Sequence, residues 1–538
     1  MAERARTRRR VLIVGLDGAT FDVILPMIEK GRLPVLAHLM ESGAWGKLRS
    51  TLPPLSPVAW SSFLTGKNPG RHGVFGFEEV EAGSYEFRPT AATRAGQRSL
   101  WRIVSDHGRR VVALDIPFSH PPEAVNGLLV AGYGAPVGEG VEFTHPRELR
   151  AELARRFGEF AVAVPQRKAY PPDDELFWRW DRILDNRARI SDFLLRREKW
   201  DVFMIVLGVT DHVQHGAWTY FEPMHRDSHR PDAARWRERL FLSYEKADAF
   251  IGRLLEGADS STHVVVLSDH GFGTTWRGQL TRRILAEAGW LRYRGLFGGP
   301  IMDFLHRAYD ALPWLKKTLH RRPTERRRLK GAAARAIAWP HTAAFPAAMG
   351  WQVYVNARGA FPYGFVEPGE PYRALCREIA DRLESAVAPG TNQPLVRHVW
   401  QRDEVFEGDA VPRAPDLLIE YQNLHGVARA SEAADWDLVG SHTMDGVLIM
   451  AGPDIRATQL PDAQIIEVAP TVLHLMGLPV PRDMDGAVRV DALRDGALCE
   501  RPIAVERGAA LTESVENVPS PSEVASVREQ LRNLGYLE

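Results

Sequence analysis

Four short apolar runs mark out the chain: Val11-Leu12-Ile13-Val14-Gly15-Leu16, Phe203-Met204-Ile205-Val206-Leu207, Val264-Val265-Val266-Leu267-Ser268 and Val447-Leu448-Ile449-Met450. Each is solidly apolar and most are rich in β-branched residues, the pattern of strands buried on both faces of a parallel sheet. Arg109 to Asp115 and Leu128 to Val130 read as two further strands. Between them, apolar residues recur at helical spacing over Phe21 to Met40, Ser99 to His107, Arg147 to Phe157 and Glu175 to Arg197. Strand and helix therefore alternate from residue 11 to about 290, which predicts an α/β fold with a mostly parallel sheet sandwiched by helices.

The pattern changes between about Ala286 and Gln401. Ile301 to Leu319 and Tyr372 to Val387 read as helices, and Gly350 to Asn356 as a strand. A basic run, Arg321-Arg322, Arg326-Arg327-Arg328 and Lys330, reads first as a solvated face and second as a surface for polyanions. Asp416-Leu417-Leu418-Ile419 and Val447 to Met450 then return to the core. The expected organisation is a core in two parts, residues 1–289 and 402–505, split by an inserted cap at 290–401. A tail at 506–538 contains a capping-box start, Ser520-Pro521-Ser522-Glu523, before the stripe Val524, Val527, Leu531 and Leu534.

The polar residues at the strand ends carry the chemistry. Asp17 follows the first run, Asp211 and His215 the second, and Asp269-His270 the third; His442 precedes the fourth. Ligands in open α/β sheets collect at such carboxyl ends. Asp211 and His215, four apart, share a helical face and can grip one ion, whereas the neighbouring His212 points about 100° away. Carboxylates mixed with imidazoles suit zinc, with manganese or iron as alternatives. Ser56-Pro57 opens a helix that Gly66 ends, with Ser56 expected at the N-cap beside free N–H groups, where an oxyanion is stabilised. Taken alone, a Ser-Pro pair is a structural cap. His72 reads as a support for the loop after this helix, and Asp115 as a turn or cap residue.

In these residues the chain resembles the alkaline phosphatase superfamily, in its branch of phosphohydrolases and phosphodiesterases related to nucleotide pyrophosphatases. The motifs are Gly15-Leu16-Asp17-Gly18, Ser56 nine residues before Thr65-Gly66, Asp211-x-x-x-His215, Ser268-Asp269-His270-Gly271 and Gly440-Ser441-His442, in the family's order. Ile466 to Gly477 is similar to the family's last core helix. The resemblance implies an α/β/α sandwich with an inserted cap that lies over the site. It also implies two divalent metal ions, usually zinc: Asp211, His215 and His442 for one, Asp17, Asp269 and His270 for the other. Ser56 would contact the second ion and attack phosphorus, giving a phosphoseryl intermediate. Ser stands where Thr is common in the phosphodiesterase relatives. Val74-Phe75-Gly76-Phe77 lacks the Asn with which nucleotide pyrophosphatases hold a phosphoryl oxygen. Val58 and Trp60 replace the Pro and Arg that sulfatases need. The expected activity is phosphodiester or phosphate-ester hydrolysis on a small substrate; a phosphomutase and a catalytically silent metal-binding scaffold are the alternatives.

Composition narrows the class without changing it. At 538 residues the chain exceeds the size of one growing core, which fits a large domain with an insertion. Its 68 basic and 68 acidic residues balance, giving no support to general nucleic-acid binding. Only Cys376 and Cys499 occur, so neither a disulfide framework nor a thiolate zinc site is expected. The basic start, Met1 to Arg10, leads into an apolar stretch that breaks at Asp17, too short for a secretory signal. No apolar run reaches membrane-spanning length. A cytoplasmic enzyme is the expectation.

Overall fold

The first apolar run becomes the central strand, Arg10–Leu16, of a ten-stranded sheet in the computed structural model. It runs parallel between Val202–Leu207 and Thr262–Leu267, with Val11 opposite Val202 and Arg10 opposite Thr262. Val111–Ile116 and Gly127–Ala131 continue the sheet in parallel on one side. On the other, Asp445–Ala451 runs antiparallel to both Thr262–Leu267 and Ala44–Arg49. The structure describes residues 9–90, 97–138, 140–162, 174–276, 280–294, 337–388, 392–426, 438–506 and 520–534.

Both faces of this sheet are covered, which is why its strands are continuously apolar. Side chains alternate across a strand. Leu12, Val14 and Leu16 pack with Val23, Ile24 and Phe250 on one face, while Val11 and Ile13 pack with Trp60, Phe63 and Leu473 on the other. The segment Phe21 to Met40 divides into Phe21–Glu29 and Pro34–Ser42, the second opening on a proline whose missing N–H is harmless in a first turn. Ser99 caps Leu100–Asp106 by accepting from Arg102 N–H at 3.1 Å. Glu148–Phe157 and Asp174–Arg197 supply the covering helices.

Asp115 is not a cap. It sits in a register shift of Val111–Ile116 with φ of 56°, and its Oδ2 accepts from Arg187 Nε at 2.7 Å. The guanidinium, buried on the helix Asp174–Arg197, needs that carboxylate as its counter-charge.

The insertion builds a second sheet in the order Ala344–Pro346, Gln352–Val355, Leu417–Tyr421 and Val396–Gln401, against which Glu370–Glu384 packs. The strand expected in the core at Asp416 to Ile419 belongs here instead. Leu417 and Leu418 stand opposite Val353 and Gln352, and Leu417 and Ile419 are buried with Val353 and Val399, so this sheet continues past residue 401 to Tyr421. The helix expected over Ile301 to Leu319 and the basic run from Arg321 to Lys330 lie outside the described residues. A two-stranded ribbon, Gly271–Trp276 with Leu438–Thr443, leads from the main sheet and sets Phe272 opposite His442.

The C-terminal helix Pro521–Leu534 begins with a reciprocal cap: Ser520 N–H donates to Glu523 Oε2 at 2.7 Å, and Glu523 N–H to Ser520 Oγ at 3.3 Å. Its Val527 and Leu531 pack with Leu55, Val58, Val74, Phe77 and Phe118, beside the start of the Ser56 helix. Among the described residues no helix is long and apolar enough to cross a membrane.

Candidate active site

The helix Ser56–Thr65 is buried along its whole length. Its N-cap is Leu55, extended at φ −117° and ψ 134°, so Ser56 is the first helical residue and not the cap the sequence predicts. The shift follows from the hydrogen bonds: Leu55 C=O accepts from Val58 and Ala59 N–H, both at 2.9 Å. Ser56 still lies in the first turn, at the positive end of the helix dipole. Gly66 ends the helix in the left-handed region, its N–H bonded to Ser62 C=O. His72 braces the loop beyond Gly66. Its Nδ1 accepts from Val74 N–H at 3.2 Å, which leaves a neutral ring to donate from Nε2 to Ser62 Oγ at 2.8 Å.

Seven side chains converge beside the first turn of the Ser56 helix. Asp211 Oδ1 lies 3.4 Å from His215 Nε2 and 3.5 Å from His442 Nε2, and the two imidazole nitrogens are 3.1 Å apart. His270 Nε2 lies 3.6 Å from Asp17 Oδ1, 3.4 Å from Asp269 Oδ2 and 3.2 Å from Ser56 Oγ. The rings of His270 and His442 stack at 3.7 Å, so the two groups share a wall. Asp17, Ser56, Asp211, Asp269, His270 and His442 are all buried; His215, at 23% side-chain exposure, is the most open.

The strand ends explain the convergence. Asp17, Asp211 and Asp269-His270 follow three adjacent parallel strands, and the ribbon delivers His442 from the far part of the chain. His442 Nδ1 donates to Pro54 C=O at 3.0 Å and His270 Nδ1 to Gly271 C=O at 2.9 Å, so each presents Nε2 to the centre. Asp269 Oδ1 accepts from Gly18 N–H, and Asp17 Oδ2 from Trp60 Nε1, both at 3.2 Å. Trp60 fits there because residue 15 is glycine: a Cβ on Gly15 would stand 2.6 Å from the indole ring.

These groups suit cations. Burial raises the carboxyl of Asp17 well above its ordinary range, with the charges of Asp269 and Asp211 adding to it. Burial likewise pushes Asp269 up to about 7. Asp211 moves the other way: burial opposes its charge, but His215, His212 and His442 outweigh burial and hold it well below the usual range. Burial also keeps the His270 and His215 rings neutral. Neutral imidazoles and crowded carboxylates are a donor set for divalent metal ions. Ligand atoms of Asp211, His270 and His442, and of Asp17, Asp269 and His270, lie mutually within 4.8 Å, and Asp269 Oδ2 is buried without a hydrogen-bond partner.

His212, which its spacing turns away from the ion and makes a supporting or surface residue, is buried and lies 3.6 Å from Asp211, where it supports that carboxylate. Trp218 and Trp276 are buried in packing, and Trp218 Nε1 donates to Thr274 Oγ1 at 2.9 Å. Thr210 Oγ1 donates to Asp17 C=O at 2.6 Å, tying the helix Val209–Phe221 to the first strand. Tyr133, half-buried with its hydroxyl turned inward beside Ser56, has no signal in its own stretch of chain.

The chain is a phosphoester hydrolase with an α/β fold like that of alkaline phosphatase. The chain belongs to the type I phosphodiesterase/nucleotide pyrophosphatase family, whose profile matches residues 11–445. Sequence comparison found no match among curated proteins. Among solved structures, alkaline phosphatase PafA is 13% identical with a TM-score of 0.51, covering 90% of this chain and 99% of its own. Phosphonoacetate hydrolase from Sinorhizobium meliloti, solved with phosphonoformate, is 15% identical with a TM-score of 0.48, covering 87% of this chain and 96% of its own. Murine ectonucleotide pyrophosphatase/phosphodiesterase 5, solved with AMP, is 13% identical with a TM-score of 0.47, covering 90% and 100%.

Proposed function

We propose that this protein hydrolyses phosphate esters, with a lean towards diesters, through Ser56 at a centre for two divalent metal ions. The observation that carries the reading is the placement of Ser56 Oγ 3.2 Å from His270 Nε2, which itself lies 3.6 Å from Asp17 and 3.4 Å from Asp269. Asp211, His215 and His442 would hold one ion, and Asp17, Asp269, His270 and Ser56 the other. Zinc suits the donors best, with manganese or iron as alternatives. Ions bound there supply Lewis-acid charge for the entering and leaving oxygens of an in-line displacement.

The chain's own residues do the rest. Ser56 Oγ forms a bond to phosphorus as the ester P–O bond breaks, and the leaving alcohol keeps the proton that Ser56 loses. Water then adds to phosphorus, the P–Oγ bond breaks and the Ser56 hydroxyl is restored. The first turn of the helix holds Oγ at the dipole's positive end, where an attacking alkoxide is stabilised. The inserted cap, residues 290–401, would choose the substrate; exchanging it changes preference and leaves metal content intact.

Bis(p-nitrophenyl) phosphate and p-nitrophenyl phosphate test the reading, with zinc and manganese supplied separately. Ser56→Ala is expected to lower turnover by about 10⁴-fold or more, as removal of a nucleophile does. Exhaustive chelation is expected to abolish activity, and re-addition of metal to restore it. Unchanged turnover after either treatment overturns the mechanism. Release of inorganic phosphate or a monoester, with no isomerised product, separates a hydrolase from a phosphomutase.

A further inference from the structure

The turn after Gly127–Ala131 brings Tyr133 to the nucleophile. Its hydroxyl is buried beside Ser56, and it lines a cavity of about 50 Å³ together with Asp17 and His212. The ring meets Phe118 edge-on at 4.9 Å and packs against the cluster that holds Leu55 and Val58. The surrounding backbone is fixed from several sides. Phe118 N–H donates to Tyr133 C=O at 2.9 Å and Gly132 N–H to Ile116 C=O at 2.7 Å. Gly134 adopts φ of 88°, and a Cβ there would stand 2.8 Å from the Phe118 ring. Phe118 itself holds φ of 53°, uncommon for a side chain of its size. Such backbone persists where the surroundings over-determine it, and it clusters at functional sites. The C-terminal helix completes the clamp: Gln530 Nε2 donates to Ala135 C=O at 2.8 Å, and Ser526 Oγ exchanges hydrogen bonds with Val137 at 2.8 and 3.0 Å.

We propose that the Tyr133 phenol is a catalytic residue, standing beside Ser56 in the resting enzyme and donating to a non-bridging phosphoryl oxygen in the transition state. The inference rests on the reading of Ser56 as nucleophile. A phenol has one proton to donate and is un-ionised near neutral pH. While Ser56 is a free alcohol, Oγ is a good acceptor. As Oγ bonds to phosphorus it becomes a bridging ester oxygen and a poor one, while charge gathers on the equatorial oxygens beside it. The proton's best partner therefore changes during the step without the phenol having to move far. That is stabilisation stronger in the transition state than in the ground state, the kind that raises kcat.

The test is Tyr133→Phe in the full-length, metal-loaded protein, compared with Ser56→Ala. Tyr133→Phe keeps the ring on Phe118 and removes only the hydroxyl. Loss of one such donor is expected to lower kcat by about 10²–10³-fold with KM within about threefold. Inhibition by vanadate, which takes up the five-coordinate geometry, is expected to weaken in parallel, with metal content and melting temperature unchanged. A kcat within about threefold of wild type, or a loss that tracks metal release or unfolding, overturns the proposal. If Ser56→Ala also keeps wild-type turnover, the nucleophile itself is misassigned. If Ser56→Ala is inactive and Tyr133→Phe is not, Tyr133 alone falls.

Discussion

The indole N–H of Trp60 donates to Oδ2 of Asp17 across 3.2 Å, joining the Ser56 helix to a candidate metal ligand. One bond therefore orients the carboxylate and fixes its distance from the serine one turn earlier. Trp60→Phe removes the donor and keeps an aromatic ring against the strand. Metal affinity is expected to fall about 10–100-fold, the usual effect of losing a group that orients a ligand. Competition with a chelator of known affinity measures it, and Ser56 should stay in place.

Arg187 is buried with its charge matched by Asp115, and its guanidinium carbon lies 3.4 Å from the Phe160 ring centroid. Arg187→Met leaves Asp115 without its counter-charge and is expected to cost about 3–5 kcal/mol of stability. Adding Asp115→Asn should restore most of the loss, since no lone charge is then buried and Asn tolerates the left-handed φ of residue 115. Urea denaturation of the single and double variants reads both effects.

Glu222 and His425 form a pH-dependent tie between the end of the helix Val209–Phe221 and the segment after the insertion's sheet, with His425 Nδ1 2.6 Å from Glu222 Oε2. Burial lowers the imidazole, but the Glu222 carboxylate more than offsets it and the ring ends above its ordinary value. Burial raises Glu222, and bonds from His425 and Thr274 reverse this and lower it. The histidine's contribution is full below its unfolded value, about 6.5, and is lost as pH rises through the higher folded value. The glutamate's is full above about 4.5 and is lost as pH falls through the lower folded value. Glu222→Gln should therefore lower the melting temperature most near pH 5–6 and progressively less towards pH 8.

Leu531, fully buried, anchors the C-terminal helix beside Leu55 and Val58. Leu531→Ala is expected to weaken docking by about 2–5 kcal/mol, the range for such truncations. Because Gln530 and Ser526 hold the turn that carries Tyr133, amide exchange should speed up both in the helix and around residues 133–137. Faster exchange in the helix alone would uncouple the two.

The core of the fold is legible in the sequence because strands covered on both faces need unbroken apolar runs, and three of those runs are followed within four residues by an acid. Leu417–Tyr421 reads into the wrong sheet because Leu417-Leu418-Ile419 looks the same in either. A local pattern reports burial, not the neighbour that provides it. Ser56 reads as the cap, one position off, because the cap is decided by the backbone of Leu55. The ligand residues are legible as a set through their spacing and order. Trp60 against Asp17 and Arg187 against Asp115 are not, since the partners lie 43 and 72 residues apart and neither pair belongs to a motif.

The antiparallel pairing of Phe272 with His442 has a consequence for how the enzyme is made. During synthesis the ribosome releases Asp17 first and His442 last, 425 residues later by the numbering (442 − 17). At about 5–20 residues per second this interval lasts roughly 20 s or more. Late in it the nascent polypeptide can already pair its parallel strands and form the Ser56 helix, yet Asp211 and His215 still await His442. Bringing the seven side chains together is therefore a late event in the birth of each molecule, and an unfinished chain carries Ser56 without its last neighbour.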